Sequence, residues 1–102
     1  MKFEWDKRKN DLNTIKHGIS FEIASLVFHD PYQISLLDQR YDYSENHWIT
    51  IGAIENTVIY VAHIIKEDNY DEEEIIPIIS ARTATPSEEW KYRSYGKNAA
   101  RN

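Results

Sequence analysis

The chain has 102 residues, 41% hydrophobic and 13% aromatic, with no cysteine and only three glycines. That is apolar matter for one small packed domain and too much for a disordered chain, and it rules out a disulfide framework or a thiolate site. No apolar run approaches the roughly 20 residues that cross a bilayer, and Met1–Asp6 has no apolar signal-peptide core, so a cytoplasmic protein without a membrane partner is expected.

The net charge of −5 is unevenly spread: residues 1–17 and 83–102 each carry +2, whereas 18–82 carry −9. Two basic ends that met in space would make a small positive surface on an acidic protein. Solvated helix faces explain the same charges equally well.

In chain order, Phe3-Glu4-Trp5 reads as a brief strand or N-terminal anchor. Asp6 caps a first helix that runs to about His17, with Leu12 and Ile15 as its narrow apolar stripe and His17-Gly18 as its stop. Ser20 caps a second helix to about Phe28, buried through Phe21, Ala24, Leu26, Val27 and Phe28 and ended by Asp30-Pro31. Strands are predicted at 33–38, 47–55, 58–65 and 75–82. Residues 39–46 form an exposed polar loop, Glu55-Asn56 a tight hairpin with Asn56 taking positive φ, and 67–74 an acidic loop. Pro77 cannot donate to a ladder, so an edge or bulge is expected there. Thr85-Pro86-Ser87-Glu88 is a capping-box start for a last helix that Gly96 stops near Tyr95. The sum is a two-layer α+β domain over residues 1–96: two N-terminal helices, an antiparallel sheet of about four strands, a C-terminal helix, and a frayed tail at 97–102.

The chain lacks a phosphate-binding glycine loop, a Gly-x-Ser-x-Gly elbow, a His-x-x-x-His pair and a calcium-loop pattern, so no metal and no cofactor are expected. Dispersed His, Glu, Lys, Arg and Tyr remain, an inventory that suits metal-free RNA cleavage. That reaction needs a base near the ribose 2′-OH, cations around the phosphorane and an acid for the leaving 5′-oxygen. Arg82, at the end of the most apolar strand, is the first candidate for phosphate; an ion pair with an acidic neighbour is its plainer explanation. Ser80 is the polar residue delivered beside it. His63 and His47 are candidate proton carriers, against structural or merely exposed roles, and Glu45 is a candidate carboxylate near His47. Lys9 and Lys16 share a helix and would touch phosphate if they are more than solvated. Tyr92 would stack a base or donate a proton, unless it simply packs on the sheet. His17 reads first as a helix terminator and His29 as structural.

The order of these fragments resembles a known family. Phe3-Glu4-Trp5-Asp6, Lys9, Asn13, His17-Gly18, Ser20-Phe21, Val27-Phe28 and Asp30 are similar to the opening of the BrnT family of type II toxins. Glu45, Trp48 and Thr50-Ile51-Gly52 resemble its middle, and His63, Ile78-Ile79-Ser80-Ala81-Arg82, Ala84-Thr85, Glu88 and Tyr92 its end. The resemblance implies a RelE-like fold and a metal-independent endoribonuclease that inhibits growth and translation by cutting RNA. It also implies a BrnA-type ribbon-helix-helix antitoxin that neutralises the toxin, with operator DNA bound only through the complex. Several family cations are replaced: His47 and Pro77 stand where basic residues are usual, Ile75 and Thr83 where Arg is common. Ile64 follows His63 in place of a threonine, and Lys66 substitutes for a nearby arginine. Arginine forks clamp phosphate in a way histidine does not. A second reading therefore stands beside the toxin: a catalytically weakened module of the same fold kept for antitoxin binding and operon regulation. A nucleic-acid binder acting alone fits the acidic middle least well.

Overall fold

The computed structural model describes residues 1–40, 45–68, 70 and 72–100. In chain order these form β1 (Lys2–Glu4), α1 (Lys7–His17), α2 (Phe21–Ala24) continuing as a 3₁₀ turn (Ser25–His29), β2 (Ile34–Leu37), β3 (Trp48–Ile54), β4 (Thr57–His63), β5 (Lys66–Asp68), β6 (Glu73–Thr83) and α3 (Pro86–Ala100). The strands lie in the order β1-β6-β4-β3-β2, with β5 pairing on β6 as well. Among the described residues no helix is long and apolar enough to cross a membrane.

The α+β class is as expected, but the sheet is not the antiparallel one of about four strands. It has six strands and is mixed, because β1 runs parallel to β6, with Phe3 opposite Ile76 and Glu4 opposite Pro77. Three residues carry no sign of a partner more than 70 positions away, so this pairing was invisible locally. The acidic loop is also shorter than expected. Lys66–Asp68 pairs with Glu73–Ile75, and the reversal has Glu72 at φ 53°; Asp71 lies outside the described residues. The bulge falls at Ile79, between the Ala62–Ser80 and His63–Ile78 pairs, two residues beyond Pro77. Pro77 sits opposite the edge strand β1, and its carbonyl accepts from Ile64 N at 2.9 Å. In the β3–β4 hairpin the positive φ falls on Glu55 (56°), not on Asn56.

The layering differs too. Side chains alternate across a strand, and β4 sends Ile59 and Val61 to one face and Val58 and Tyr60 to the other. The first pair packs with Phe21, Ala24, Val27, Ile78 and Ala81 under the N-terminal helices. The second packs with Ile51 and with Tyr92 of α3. Helices therefore cover both faces, making three layers instead of two. Gly52 lets the N-terminal layer close: a Cβ there would meet the Val27 side chain and carbonyl at 3.1 Å.

The helix ends follow their caps. Asp6 accepts from Arg8 N and Lys9 N, Ser20 from Ile23 N, and Thr85 and Glu88 accept each other's backbone N–H in a capping box. Gly18 closes α1 at φ 72°. The second helix is α-helical for one turn only, and tightening to 3₁₀ leaves Leu26 exposed while Val27 is buried. Gly96 does not stop α3, which continues to Ala100 through most of the expected tail; residues 101–102 lie outside the described residues.

α1 shows the largest departure. Leu12 and Ile15, the expected buried stripe, are 56% and 83% exposed, while Asn10 and Asn13 are buried. Asn13 donates to the carbonyls of Ile19 and Ala81, both at 2.9 Å, and accepts from Ala81 N at 3.2 Å. Asn10 accepts from Phe21 N at 2.8 Å and donates to the Glu22 carboxylate. Two amides, not two aliphatic side chains, seat the helix.

Orphaning a buried backbone group costs its desolvation, about 1–3 kcal/mol each. Asn13→Leu is therefore expected to lower unfolding free energy by about 3 kcal/mol in urea despite its added apolar surface. Ile15→Gln is expected to stay within about 0.5 kcal/mol. An Asn13→Leu protein as stable as the parent would refute this seating of α1.

Candidate functional site

The site grows from one rung of the β4–β6 ladder. Tyr60 lies directly opposite Arg82, and Ala62 opposite Ser80. The first rung is bulky and the second small, so the sheet face opens into a cleft of about 330 Å³ lined by Asp38, Arg40, His47, Tyr60, Ala62, Ile79, Ser80 and Arg82. Three expected site residues, Arg82, His47 and Ser80, thus meet in one place.

Arg82 is the most heavily held. Its Cζ lies 3.8 Å from the Tyr60 ring centroid, a cation–π stack. Its two terminal nitrogens donate to the two Glu88 oxygens at 2.7 and 2.9 Å. The plainer explanation foreseen for Arg82, an acidic neighbour, is therefore present, but the guanidinium still lines the cleft and its side chain is 32% exposed. The Arg82 hydrogen bonds hold the Glu88 carboxyl below its ordinary range against the opposing effect of burial. Glu88 also accepts from Thr85 N at 2.9 Å, so one carboxylate serves the arginine and the start of α3.

A second guanidinium reaches the same phenol from the end of β2. Arg40 donates from Nε and Nη2 to the two oxygens of Asp38 at 2.9 and 3.1 Å, and from Nη2 to the Tyr60 hydroxyl at 3.2 Å. Burial pushes the Tyr60 phenol up despite both arginines, which pull it down. Neither Arg40 nor Tyr60 stood out in the sequence. The Asp38-Gln39-Arg40 spacing was a legible cue for a local pair, and Tyr60 was legible as the residue facing away from Ile59 and Val61.

His63 does not join them. It is 1% exposed on the opposite face, edge-on to Phe28 with centroids 5.0 Å apart. Its Nδ1 lies 3.2 Å from the Ile64 carbonyl and its Nε2 2.7 Å from Thr50 Oγ1, which also meets Ser35 Oγ at 2.7 Å. Burial pushes its pKa down, favouring neutral imidazole. A carbonyl only accepts, so Nδ1 carries the proton, Thr50 donates to Nε2, and Ser35 donates to Thr50. Both ring nitrogens are thus bonded, and the chain of hydrogen bonds ends at Ser35 on the exposed edge strand β2.

The other candidates are scattered. Lys9 lines a neighbouring cleft of about 630 Å³ with Phe3, Glu4, Trp5, Asp6 and Pro77, and Ile79 is a wall of both clefts. Lys16 is exposed on α1 and Lys66 on β5. Glu45 is exposed two residues before His47, whose carbonyl accepts from Asp38 N at 2.8 Å. Tyr92 is buried and donates to Asp30, and burial together with that bond pushes its phenol up to about 12. Asp30 also accepts from Ala53 N and Tyr32 N; these bonds outweigh burial and leave its carboxyl below the usual range. Tyr92 thus ties α3 to the far side of the sheet. Among the described residues no group of three or more His, Cys, Asp or Glu is placed to hold a metal ion.

The α+β sheet thus carries a cleft lined by two arginines and a tyrosine. The family model for the ribonuclease toxin, BrnT, of type II toxin–antitoxin systems matches residues 5–88. The chain belongs to that family, whose members act on RNA and are countered by a protein antitoxin. Comparison with curated proteins found no match.

Glu88 tests the electrostatics. A carboxyl held below its unfolded value stabilises fully above roughly pH 4.3, and that stabilisation is lost as pH falls through the folded value. Between pH 5 and 3 the parent is therefore expected to lose more stability than Glu88→Gln, which removes this titration. Parallel melting-temperature profiles for the two proteins would overturn the assignment.

Proposed function

We propose that the protein is a metal-independent endoribonuclease toxin that inhibits translation and growth by cutting RNA, and that a ribbon-helix-helix antitoxin of the BrnA type neutralises it. The family match over residues 5–88 carries the reading. The meeting of Arg82, His47 and Ser80 in one cleft supports it.

In this reading a base removes the proton from the ribose 2′-OH, and the 2′-oxygen attacks the adjacent phosphorus. The P–O5′ bond breaks, leaving a 2′,3′-cyclic phosphate and a 5′-hydroxyl that takes up a proton. Arg82 neutralises the phosphorane, and the Ser80 hydroxyl donates to a non-bridging oxygen. His47 moves the protons, with Glu45 as the nearby carboxylate, because His63 is sealed in the core and its bonds are spent there. Lys9, Lys16 and Lys66 hold flanking phosphates, while Tyr92 keeps α3 in place.

The bidentate Glu88 hold on Arg82 favours one rival, a module of the same fold that binds the antitoxin and regulates the operon with weakened or no catalysis. Purified protein with RNA in excess EDTA separates the two. Cleavage is expected, with a loss of about 10²-fold or more in rate for Arg82→Ala and for His47→Ala. No cleavage by the parent, with a stable antitoxin complex, would decide for the rival.

A further inference from the structure

The cleft holds a second cation that neither the sequence nor the family description assigns. We propose that Arg40 and Arg82 form a two-arginine clamp for an RNA phosphodiester, with Tyr60 as the positioning residue that touches both. This deepens the ribonuclease reading above and rests on it.

Two elements far apart in the chain, the end of β2 and β6, bring their arginines to one phenol on β4. Arg82 stacks on the ring face at 3.8 Å and Arg40 donates to the hydroxyl at 3.2 Å. Both guanidinium groups contact the same tyrosine, an arrangement of like charges that is favoured when anions sit beside it. Among the described residues, Asp38 beside Arg40 and Glu88 beside Arg82 are such anions. Both cations keep solvent access, with side chains 61% and 32% exposed, in a cleft large enough for a phosphate and part of a ribose. A phosphate presents the same paired oxygens as a carboxylate, so it substitutes for Glu88 in the fork of Arg82. The released Glu88 is not stranded, because Thr85 N still donates to it.

The test uses a fully 2′-O-methylated RNA oligonucleotide, which lacks the attacking hydroxyl and so reports binding alone. Anisotropy titrations across salt give a slope of about −0.7 per phosphate contact on single strands. Arg40→Gln and Arg82→Gln are each expected to flatten that slope by about 0.7. Tyr60→Phe keeps the ring under Arg82 and removes the hydroxyl that Arg40 bonds. It is expected to weaken binding several-fold in the parent and not at all in the Arg40→Gln background. A purely structural Tyr60 would cost binding equally in both. Circular dichroism confirms the fold of each variant, and surface-exposed Arg40 keeps the test open if Tyr60 variants unfold. No binding by the parent, an unchanged slope in folded Arg40→Gln, or additive losses in the double variant would each overturn the clamp. Cleavage of unmodified RNA alongside any of these failures would leave the ribonuclease reading standing. The expected slopes without cleavage would retain the clamp and remove the ribonuclease.

Discussion

The hydrogen-bonded pair between the Asn13 side chain and the Ala81 backbone is the constraint from which the rest of the structure follows. The edge strand β1 ends at Glu4, opposite Pro77, while β6 runs on to Thr83. Beyond β1 the outer N–H and C=O of Ala81 would be left open in a buried place, where an unpaired backbone group is costly. The Asn13 amide, itself shaped like a peptide group, takes both. In effect one side chain continues the ladder that the backbone abandoned. It also fixes the depth and rotation of α1, and through Ile19 and the neighbouring Asn10 it sets where α2 begins. Phe21, Ala24 and Val27 then cover one face of β4 and β6 and leave the other for α3 and the cleft.

The two faces of β4 have separate work. Val61 and His63 look inward, where Thr50 carries a chain of hydrogen bonds from His63 out to Ser35 on the exposed edge strand. Tyr60 and Ala62 look to the other face, where a large, mostly buried side chain beside a small one makes a shelf with a cation on it. The bulge at Ile79 occurs as the strand passes from this shelf toward the β1 edge. The same strand that supplies the core therefore aims Arg82, and the stiffness of the core is what holds the guanidinium against Tyr60.

What could be read in advance was local. Asp6, Ser20, Gly18 and the Thr85–Glu88 box each act within four residues, and each does what its type and position dictate. The places of β2, β3, β4 and most of β6 were legible from β-branched runs for the same reason, whereas β5 lay in a stretch read as a loop. The orientation of α1 was not, because Asn13 finds its partner 68 residues away and no hydropathy pattern encodes that. The parallel β1 and the three-layer packing failed to show for the same cause. At the site, Arg82 was legible as a cation ending a buried strand, but its stack on Tyr60 depends on register between β4 and β6. His63 and His47 lie at the same end of the β3–β4 ladder, His47 just before the Trp48 that pairs with His63; which one enters the core is decided by the pleat and by Phe28, not by either neighbourhood in sequence.

Glu88 is shared between two structures that would each use it fully. Its carboxylate closes the first turn of α3 and grips the arginine of the cleft. A shared ligand makes the two equilibria reciprocal: whatever strengthens one partner's hold changes the other by the same free energy. An anion that occupies Arg82 hands Glu88 wholly to the helix, and a partner that reorders the start of α3 alters how tightly Arg82 is neutralised. Occupancy of the cleft and the state of the C-terminal helix are thus conjugate variables, joined by one side chain.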